Sequence, residues 1–230
     1  MNWDIIVENA PLFIQGAKLT LTLALASLAA SFLLAVPLAF LRNSRLPAVR
    51  YTVTAYTLLF RGTPLLVQLF LVYFGIAQFG SIRSSFAWPW LSSPLVCVLI
   101  AFVLNTTAYS TEIFAGALRN IPIGEIEAAR AYGFSRWKQA TRLLIPAMLT
   151  RSLPLYGNET IMMLHATSLA STVTLLETTG VARRITLDNY IQFEPYVTAA
   201  GIYLLITFAI VSAFQIVQHR FAGYLENRTS

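Results

Sequence analysis

Four long stretches of this chain contain no Asp, Glu, Lys or Arg, and this feature constrains its fold more than any other. They cover residues 19–41, 62–82, 84–111 and 195–219 and are 23, 21, 28 and 25 residues long. A helix needs about 20 mostly apolar residues to cross a bilayer. Soluble domains contain roughly 25% charged residues, whereas only 11% are charged here. The sequence therefore predicts an all-α integral membrane protein and excludes a soluble enzyme, a disordered chain and a disulfide scaffold.

Five membrane-spanning helices are predicted from these stretches together with one weaker segment. Their approximate bounds are 19–41, 55–78, 94–118, 148–172 and 196–217. The weaker fourth span contains Pro154 and Gly157 among its apolar residues, and we expect these two residues to break its helix. The N-terminus lacks the basic region of a cleaved signal peptide, so the first span is expected to be retained. Residues 1–230 are predicted to form a single membrane domain.

The distribution of Lys and Arg predicts the orientation of the chain. With five spans, eleven of the 16 basic residues fall on one side, in the segments 42–52 and 119–151 and in the C-terminal tail. Four fall on the other side, and Arg61 lies within or at the end of the second span. Because cytoplasmic loops carry the excess of positive charge, the N-terminus is predicted outside and the C-terminus in the cytoplasm. The net charge of +6 is explained by this topology, so nucleic acid is not an expected partner.

The loop between the third and fourth spans, about 120–146, is predicted to contain two short helices. Pro122 and Gly124 precede the first helix, Glu125 and Glu127 lie in its first turn, and Gly133 is placed to close it in a left-handed cap. The second is predicted over residues 136–145. Ser135 is its expected N-cap, and Pro146 is its expected end.

This loop resembles the EAA loop of the permeases of ABC importers. It contains Glu127-Ala128-Ala129, then Gly133 after three residues, and then Leu143-Leu144-Ile145-Pro146 after nine more. The ending departs from the Ile-x-Leu-Pro of the family but keeps its apolar character and its proline. An ordinary amphipathic loop helix is the alternative. The resemblance implies that Glu127, Ala128, Ala129, Gly133 and Pro146 belong to a coupling loop that docks on a partner ATPase.

Three further strings resemble the polar amino acid branch of the same permeases. They are Arg61-Gly62-Thr63-Pro64 in the second span, residues 105–116 in the third, and Tyr156-Gly157-Asn158-Glu159 followed by Thr167-Ser168-Leu169 in the fourth. The closest resemblance is to uptake systems for histidine, lysine, arginine and ornithine and to their opine relatives. It implies a type I importer fold in the bacterial inner membrane, working by alternating access.

The resemblance also implies the partners and cofactors of the chain. These are a second permease subunit, two copies of an ATPase that binds ATP and Mg²⁺, and a periplasmic substrate-binding protein. No Walker A loop, GxSxG or HExxH motif occurs in the sequence. The chain is therefore expected to have no catalytic residue and to bind no cofactor or metal itself. An autonomous secondary carrier or a small membrane enzyme is the rival interpretation, although neither repeated halves nor paired catalytic groups are evident.

Polar residues inside the predicted spans are the candidate functional residues, because such groups are costly in lipid. Glu159 and the neighbouring Asn158 are candidates for binding a cationic substrate. The alternative for Glu159 is a pair with Arg151 or an interhelical hydrogen bond. Asn105 fits substrate binding and interhelical hydrogen bonding equally, and His165 is either a substrate ligand or a hydrogen-bonded structural residue.

Two further groups are assigned to structure or gating. Residues 61–64 (Arg61, Gly62, Thr63 and Pro64) predict a kink in the second span, the alternative being that Arg61 reaches to the cytoplasmic interface. Glu112 is expected to form a structural ion pair with Arg61 or Arg119.

Overall fold

The structure, a computed structural model, describes the backbone of residues 3–226 and the side chains as far as Arg220. All regular secondary structure in this part of the chain is helical, without strands. Its α-helices are α1 (Trp3–Glu8), α2 (Ala10–Arg42), α3 (Pro47–Gly62), α4 (Leu65–Phe70), α5 (Gly80–Arg83), α6 (Trp88–Leu91), α7 (Pro94–Arg119), α8 (Ile123–Ala131), α9 (Arg136–Gln139), α10 (Ile145–Ala166), α11 (Thr178–Asn189) and α12 (Phe193–Glu226). The predicted all-α class is thus confirmed.

Three of these helices, α2, α7 and α12, are long and apolar enough to cross a membrane, and α3 with the segment Leu65–Gln78 qualifies as a bent pair. The helices α2, α7 and α12 cover the first, third and fifth predicted spans, and the bent pair covers the second. α2 begins at Ala10, well before residue 19, because Lys18 bounds the charge-free stretch without ending the helix. α10 covers most of the fourth predicted span. Its 22 residues give a length of about 33 Å at the usual rise of an α-helix.

The second predicted span is divided rather than kinked. Thr63 has an extended backbone (φ −118°, ψ 145°), and the helical segments on its two sides are bent by 101°. Proline disfavours a helical conformation in the residue before it, so Pro64 ends α3 at Gly62. After the break the chain continues as α4, a π-helical turn (Leu71–Gly75) and a 3₁₀ turn (Ile76–Gln78).

The prediction that Pro154 and Gly157 break the fourth span is wrong. α10 runs without interruption from Ile145 to Ala166, with Pro154 inside it. A proline removes only one backbone hydrogen bond, and membrane helices tolerate this where neighbours compensate. Gly157 serves close packing instead, since a Cβ atom there would lie 2.9 Å from Cδ1 of Phe214 in α12. The helix changes only at its end, into a 3₁₀ turn (Thr167–Val173).

The centre of the fold is α7, which packs against α2 on one side and against α3, α4 and α10 on the others. Phe102 in α7, with Leu23 from α2 and Leu69 from α4, is fully buried in one apolar cluster. Phe114, one turn from the end of α7, belongs to a second cluster with Met148 from α10. These contacts fix α3, α4 and α10 around the middle of α7, where its polar residues lie.

The first helix of the loop over residues 120–146 forms and ends as predicted, but it begins at Ile123, so that Gly124 lies inside it and Glu127 follows its first turn. α8 ends in a left-handed turn at Gly133 (φ 72°), where the amide of Phe134 donates to the carbonyl of Ala129 at 3.0 Å. Ser135 caps α9, its Oγ accepting a hydrogen bond from the amide of Lys138. The predicted end at Pro146 is wrong, because α9 continues through a π-helical turn (Ala140–Leu144) into α10. Pro146 lies just after this π-helical turn, where the regular α-helical hydrogen-bond pattern is already interrupted.

Candidate functional site

A cavity of about 650 Å³ lies between the end of α3, the middle of α7 and α10. Several predicted polar and gating residues line it together: Arg61, Gly62, Thr63, Pro64, Asn105, Asn158 and Glu159. Apolar side chains from α10, among them Leu155 and Met162, complete the wall. The cavity therefore combines one cationic and one anionic side chain with an apolar surface, a composition suited to a small charged ligand with an aliphatic part.

Side chains satisfy the backbone carbonyls at the broken end of α3. The carbonyl of Phe60 accepts hydrogen bonds from Nε2 of Gln68 (2.8 Å) and Nδ2 of Asn105 (3.0 Å). The hydroxyl of Thr63 donates to the carbonyl of Leu59 at 2.8 Å. The last carbonyls of a helix have no partner within it, and lipid offers none. These side chains thus make it possible for α3 to end beside the middle of α7.

Asn105 has an interhelical structural function in this arrangement. Its Nδ2 also donates to Oε1 of Gln68 at 3.1 Å, so both amide hydrogens are used between helices. Gln68 was not identified as a site residue from the sequence. Its position four residues after Pro64 was the available signal, because a polar side chain one turn beyond a break can reach back to the exposed carbonyls.

Arg61 lies against the cavity rather than at the end of its span. Its guanidinium carbon is 5.2 Å from the centre of the Tyr109 ring, and its residue neighbour Phe60 contacts Asn105 near the midpoint of α7. The Tyr109 hydroxyl also donates to the carbonyl of Arg61 at 3.4 Å. Among the side chains described as far as Arg220, no carboxylate forms a salt bridge with this guanidinium.

Glu159 is buried, with 9% of its surface exposed, yet lines the cavity. Its carboxylate has neither a hydrogen bond nor a salt bridge to any described residue, and Arg61 is the charged group that acts on it electrostatically. The alternative pair with Arg151 is wrong, since Arg151 lies 3.5 Å from the carboxylate of Glu125 in α8. A buried carboxylate without a partner is costly, which is typical of a binding residue.

Glu112 forms an ion pair, but not with the predicted partners. Its Oε1 accepts from Nε of Arg42 in α2 at 2.6 Å and from the Thr57 hydroxyl in α3 at 2.8 Å. Arg119 instead donates to Oδ1 of Asn43 at 3.1 Å. The prediction failed because Arg42 is 70 residues away in the sequence and becomes a neighbour only when α2 packs against α7. Glu112 thus joins α7 to α2 and α3.

His165 is not among the residues that line the cavity. Its Nε2 lies 3.1 Å from Oγ1 of Thr207, and its ring meets the Tyr203 ring edge to face at 6.3 Å. Both partners belong to α12. The structure therefore separates His165 from Glu159, although both lie on α10.

The loop over residues 120–146 exposes a second candidate surface. Glu127, Ala128 and Gly133 are exposed, whereas Ala129 is buried. Three large side chains without a predicted role are also exposed: Ile123 (72%), Tyr132 (83%) and Trp137 (77%). Exposed apolar groups beside a short helix are typical of a protein contact.

The described residues thus combine helices that are apolar enough to cross a membrane, a cavity that carries two charged side chains, and an exposed loop helix. Residues 28–223 match the family described as the inner membrane component of binding-protein-dependent transport systems, and the chain belongs to this family. The resemblance to ABC-importer permeases is thereby confirmed.

Relatives of known name cover almost the whole chain. The nopaline transport system permease protein NocM of Agrobacterium fabrum is 40% identical over 91% of this chain and 88% of its own. The histidine/lysine/arginine/ornithine transport system permease protein HisM of Salmonella typhimurium is 41% identical over 93% of this chain and 91% of its own. Both are transport permeases rather than enzymes.

Solved structures show the same fold. A chain of an amino acid ABC transporter crystallised with histidines has a TM-score of 0.83 and 29% identity, covering 96% of this chain and 99% of that one. The MetNI methionine ABC transporter in an inward-facing conformation has a TM-score of 0.78 at 18% identity, covering 93% and 97%. The type I permease fold is thus shared.

Proposed function

We propose that this chain is the transmembrane subunit of an ATP-driven importer that carries basic amino acids or opines across the inner membrane by alternating access. The observation that supports the substrate class most directly is the buried Glu159 carboxylate, which faces the cavity without a partner among the described residues. The names of the relatives agree, since histidine, lysine, arginine, ornithine and nopaline all carry a basic nitrogen group in the side chain.

The cavity offers a complementary contact for each part of such a substrate. Glu159 would bind the cationic side chain, and Arg61 would bind the carboxylate of the amino acid in a bidentate pair. Leu155 and Met162 would contact the aliphatic part, and Asn158, exposed on the same wall, would add a hydrogen bond. This assignment gives Arg61 the contact with the α-carboxylate, because the amide hydrogens of Asn105 are already used between helices.

The partners follow from the same proposal. The loop over residues 120–146 would dock on a dimer of an ATPase that binds ATP and Mg²⁺, with Glu127, Ala128 and Ala129 in the docking helix and Gly133 shaping it. The salt bridge between Glu125 and Arg151 would transmit movement of α8 to α10. A second permease subunit and a periplasmic binding protein complete the transporter, and no nucleic acid is involved.

The proposed topology has five spans, with α10 as the fourth, the N-terminus in the periplasm and the C-terminus in the cytoplasm. A reporter fused after Ser230 is therefore expected to behave as cytoplasmic, and one inserted at the exposed Leu187 as periplasmic. Alkaline phosphatase and green fluorescent protein fusions measure the two sides. Finding both positions on one side would contradict the five-span topology.

Substrate uptake by the assembled transporter tests the function itself. We expect accumulation of labelled arginine in proteoliposomes to need internal ATP, the ATPase and the binding protein. Unlabelled lysine, ornithine, histidine and nopaline are the competitors, and leucine is the neutral control. Uptake of arginine driven by an ion gradient without ATP would support a secondary carrier instead, and competition by leucine as strong as by lysine would exclude a basic substrate class.

A further inference from the structure

Gln68 is a buried amide at the helix break and uses its polar atoms entirely within the protein. Only 6% of the residue is exposed. The two hydrogens of its Nε2 are shared among three acceptors, the carbonyls of Phe60 (2.8 Å) and Thr63 (3.0 Å) and the hydroxyl oxygen of Thr63 (2.8 Å). Its Oε1 accepts from Asn105 at 3.1 Å. We refer to Gln68 and Asn105 together as the amide clamp.

The amide clamp holds the backbone on both sides of Arg61. Phe60 precedes Arg61 directly and accepts hydrogen bonds from both amides, while Thr63, two residues after it, accepts from Gln68. Between these fixed points lies Gly62, where a Cβ atom would meet nothing within 4 Å. Without the amide clamp, the backbone of this segment would keep only the side-chain hydrogen bonds from the Thr63 hydroxyl to the carbonyl of Leu59 and from the Tyr109 hydroxyl to the carbonyl of Arg61.

The direction of this segment decides where the Arg61 guanidinium lies. Arg61 contacts the cavity from the final turn of α3, and its carbonyl and guanidinium both lie against Tyr109. A bidentate contact with a carboxylate depends on the plane and position of the guanidinium. A shift of the α3 end would therefore weaken that contact while leaving Glu159, on α10, in place.

We propose that Gln68 and Asn105 are positioning residues that set the orientation of Arg61, and thereby determine how strongly the cavity selects substrates that carry a carboxylate. This inference rests on the proposed function, in which Arg61 binds the substrate carboxylate. It adds that the selectivity is built by two residues that the substrate itself need not touch.

The test compares arginine with argininamide, which keeps the cationic side chain but lacks the carboxylate. Equilibrium binding of both ligands is measured on the assembled transporter in nanodiscs. The binding protein is left out, so that only the affinity of the transmembrane cavity is measured. We expect Gln68→Met to reduce the preference for arginine over argininamide roughly tenfold, the effect of about one charge-assisted hydrogen bond. Asn105→Leu should act in the same direction. The double variant should lose little more, because both residues serve one arrangement.

Gln78→Met is the matched control. Gln78 belongs to the same bent segment but is exposed, with a single long hydrogen bond to the carbonyl of Phe74 (3.4 Å). This variant should keep the wild-type preference. Unchanged preference in assembled Gln68→Met, or an equal loss of affinity for both ligands, would overturn the inference and leave the amide clamp with a purely structural role.

A milder pair of variants decides the question if Gln68→Met does not assemble. Thr63→Val removes the hydroxyl that Gln68 contacts, whereas Thr63→Ser retains it. We expect Thr63→Val to lower the preference for arginine over argininamide and Thr63→Ser to keep the wild-type preference. The same preference in both variants would overturn the inference. Failure of the proposed function looks different, because the wild-type transporter would then not bind arginine. Wild-type binding of arginine and argininamide with equal affinity would overturn the inference and the carboxylate contact of Arg61, while the transport of basic amino acids would stand.

Discussion

Replacing Glu159 with glutamine is expected to weaken the binding of arginine by roughly 10- to 150-fold while the transporter still assembles. The substitution keeps the shape of the side chain and removes the charge opposite a cationic substrate. A hydrogen bond to a charged group contributes about 1.5–3 kcal/mol, which corresponds to this range. Glu159 has no partner among the described residues that its loss would leave unpaired, so the fold should tolerate the change. Equilibrium binding to the purified complex is the measurement.

Citrulline makes this experiment specific, because it has nearly the shape of arginine but a neutral side chain. Glu159→Gln should leave the weak binding of citrulline unchanged or improve it. Glu112→Gln is the matched control, since it also removes one carboxylate charge but breaks the ion pair with Arg42. We expect that variant to lower assembly without changing the ratio of arginine to citrulline. If assembled Glu159→Gln binds arginine with wild-type affinity, Glu159 is structural and the basic substrate class loses its main support.

Replacing Gly133 with valine is expected to abolish most of the ATP-dependent uptake without preventing membrane insertion. Gly133 has a φ of 72°, and a left-handed conformation costs an L-residue roughly 1–2 kcal/mol, more when it is β-branched. A Cβ atom there would meet nothing within 4 Å. The damage would therefore come from the backbone, by changing the turn that positions α8 relative to α9. We expect uptake to fall about tenfold or more.

Gly133→Asn provides the control for this substitution, because asparagine tolerates the left-handed region better than any residue except glycine. It should retain most of the uptake. ATP hydrolysis by the assembled complex separates coupling from assembly. In Gly133→Val, hydrolysis should no longer respond to the loaded binding protein. Wild-type uptake by a well-expressed Gly133→Val protein would show that this turn is not required for coupling.

The contrast between Gly133 and Gly157 shows what kind of information the sequence carries. Gly133 follows a helix with clear end signals, so its left-handed turn is a local property and was predicted. Gly157 lies three residues after Pro154, a local pattern that predicts a helix break. Its actual role is to admit the Phe214 ring from α12. That contact joins residues far apart in the chain, and no local pattern announces it.

The sequence by itself determined the membrane class, the approximate helices, the capped turn after α8 and the polar residues of the cavity. These follow from charge-free length, from the local chemistry of glycine, proline and serine, and from the high cost of polar groups in lipid, all of which act within a few residues. The tertiary structure alone decided the partners. It paired Glu112 with Arg42, directed His165 toward α12, and recruited Gln68 and Asn105 to the broken end of α3. Such pairings depend on which helix faces are brought together, and that is settled only when the helices pack around α7.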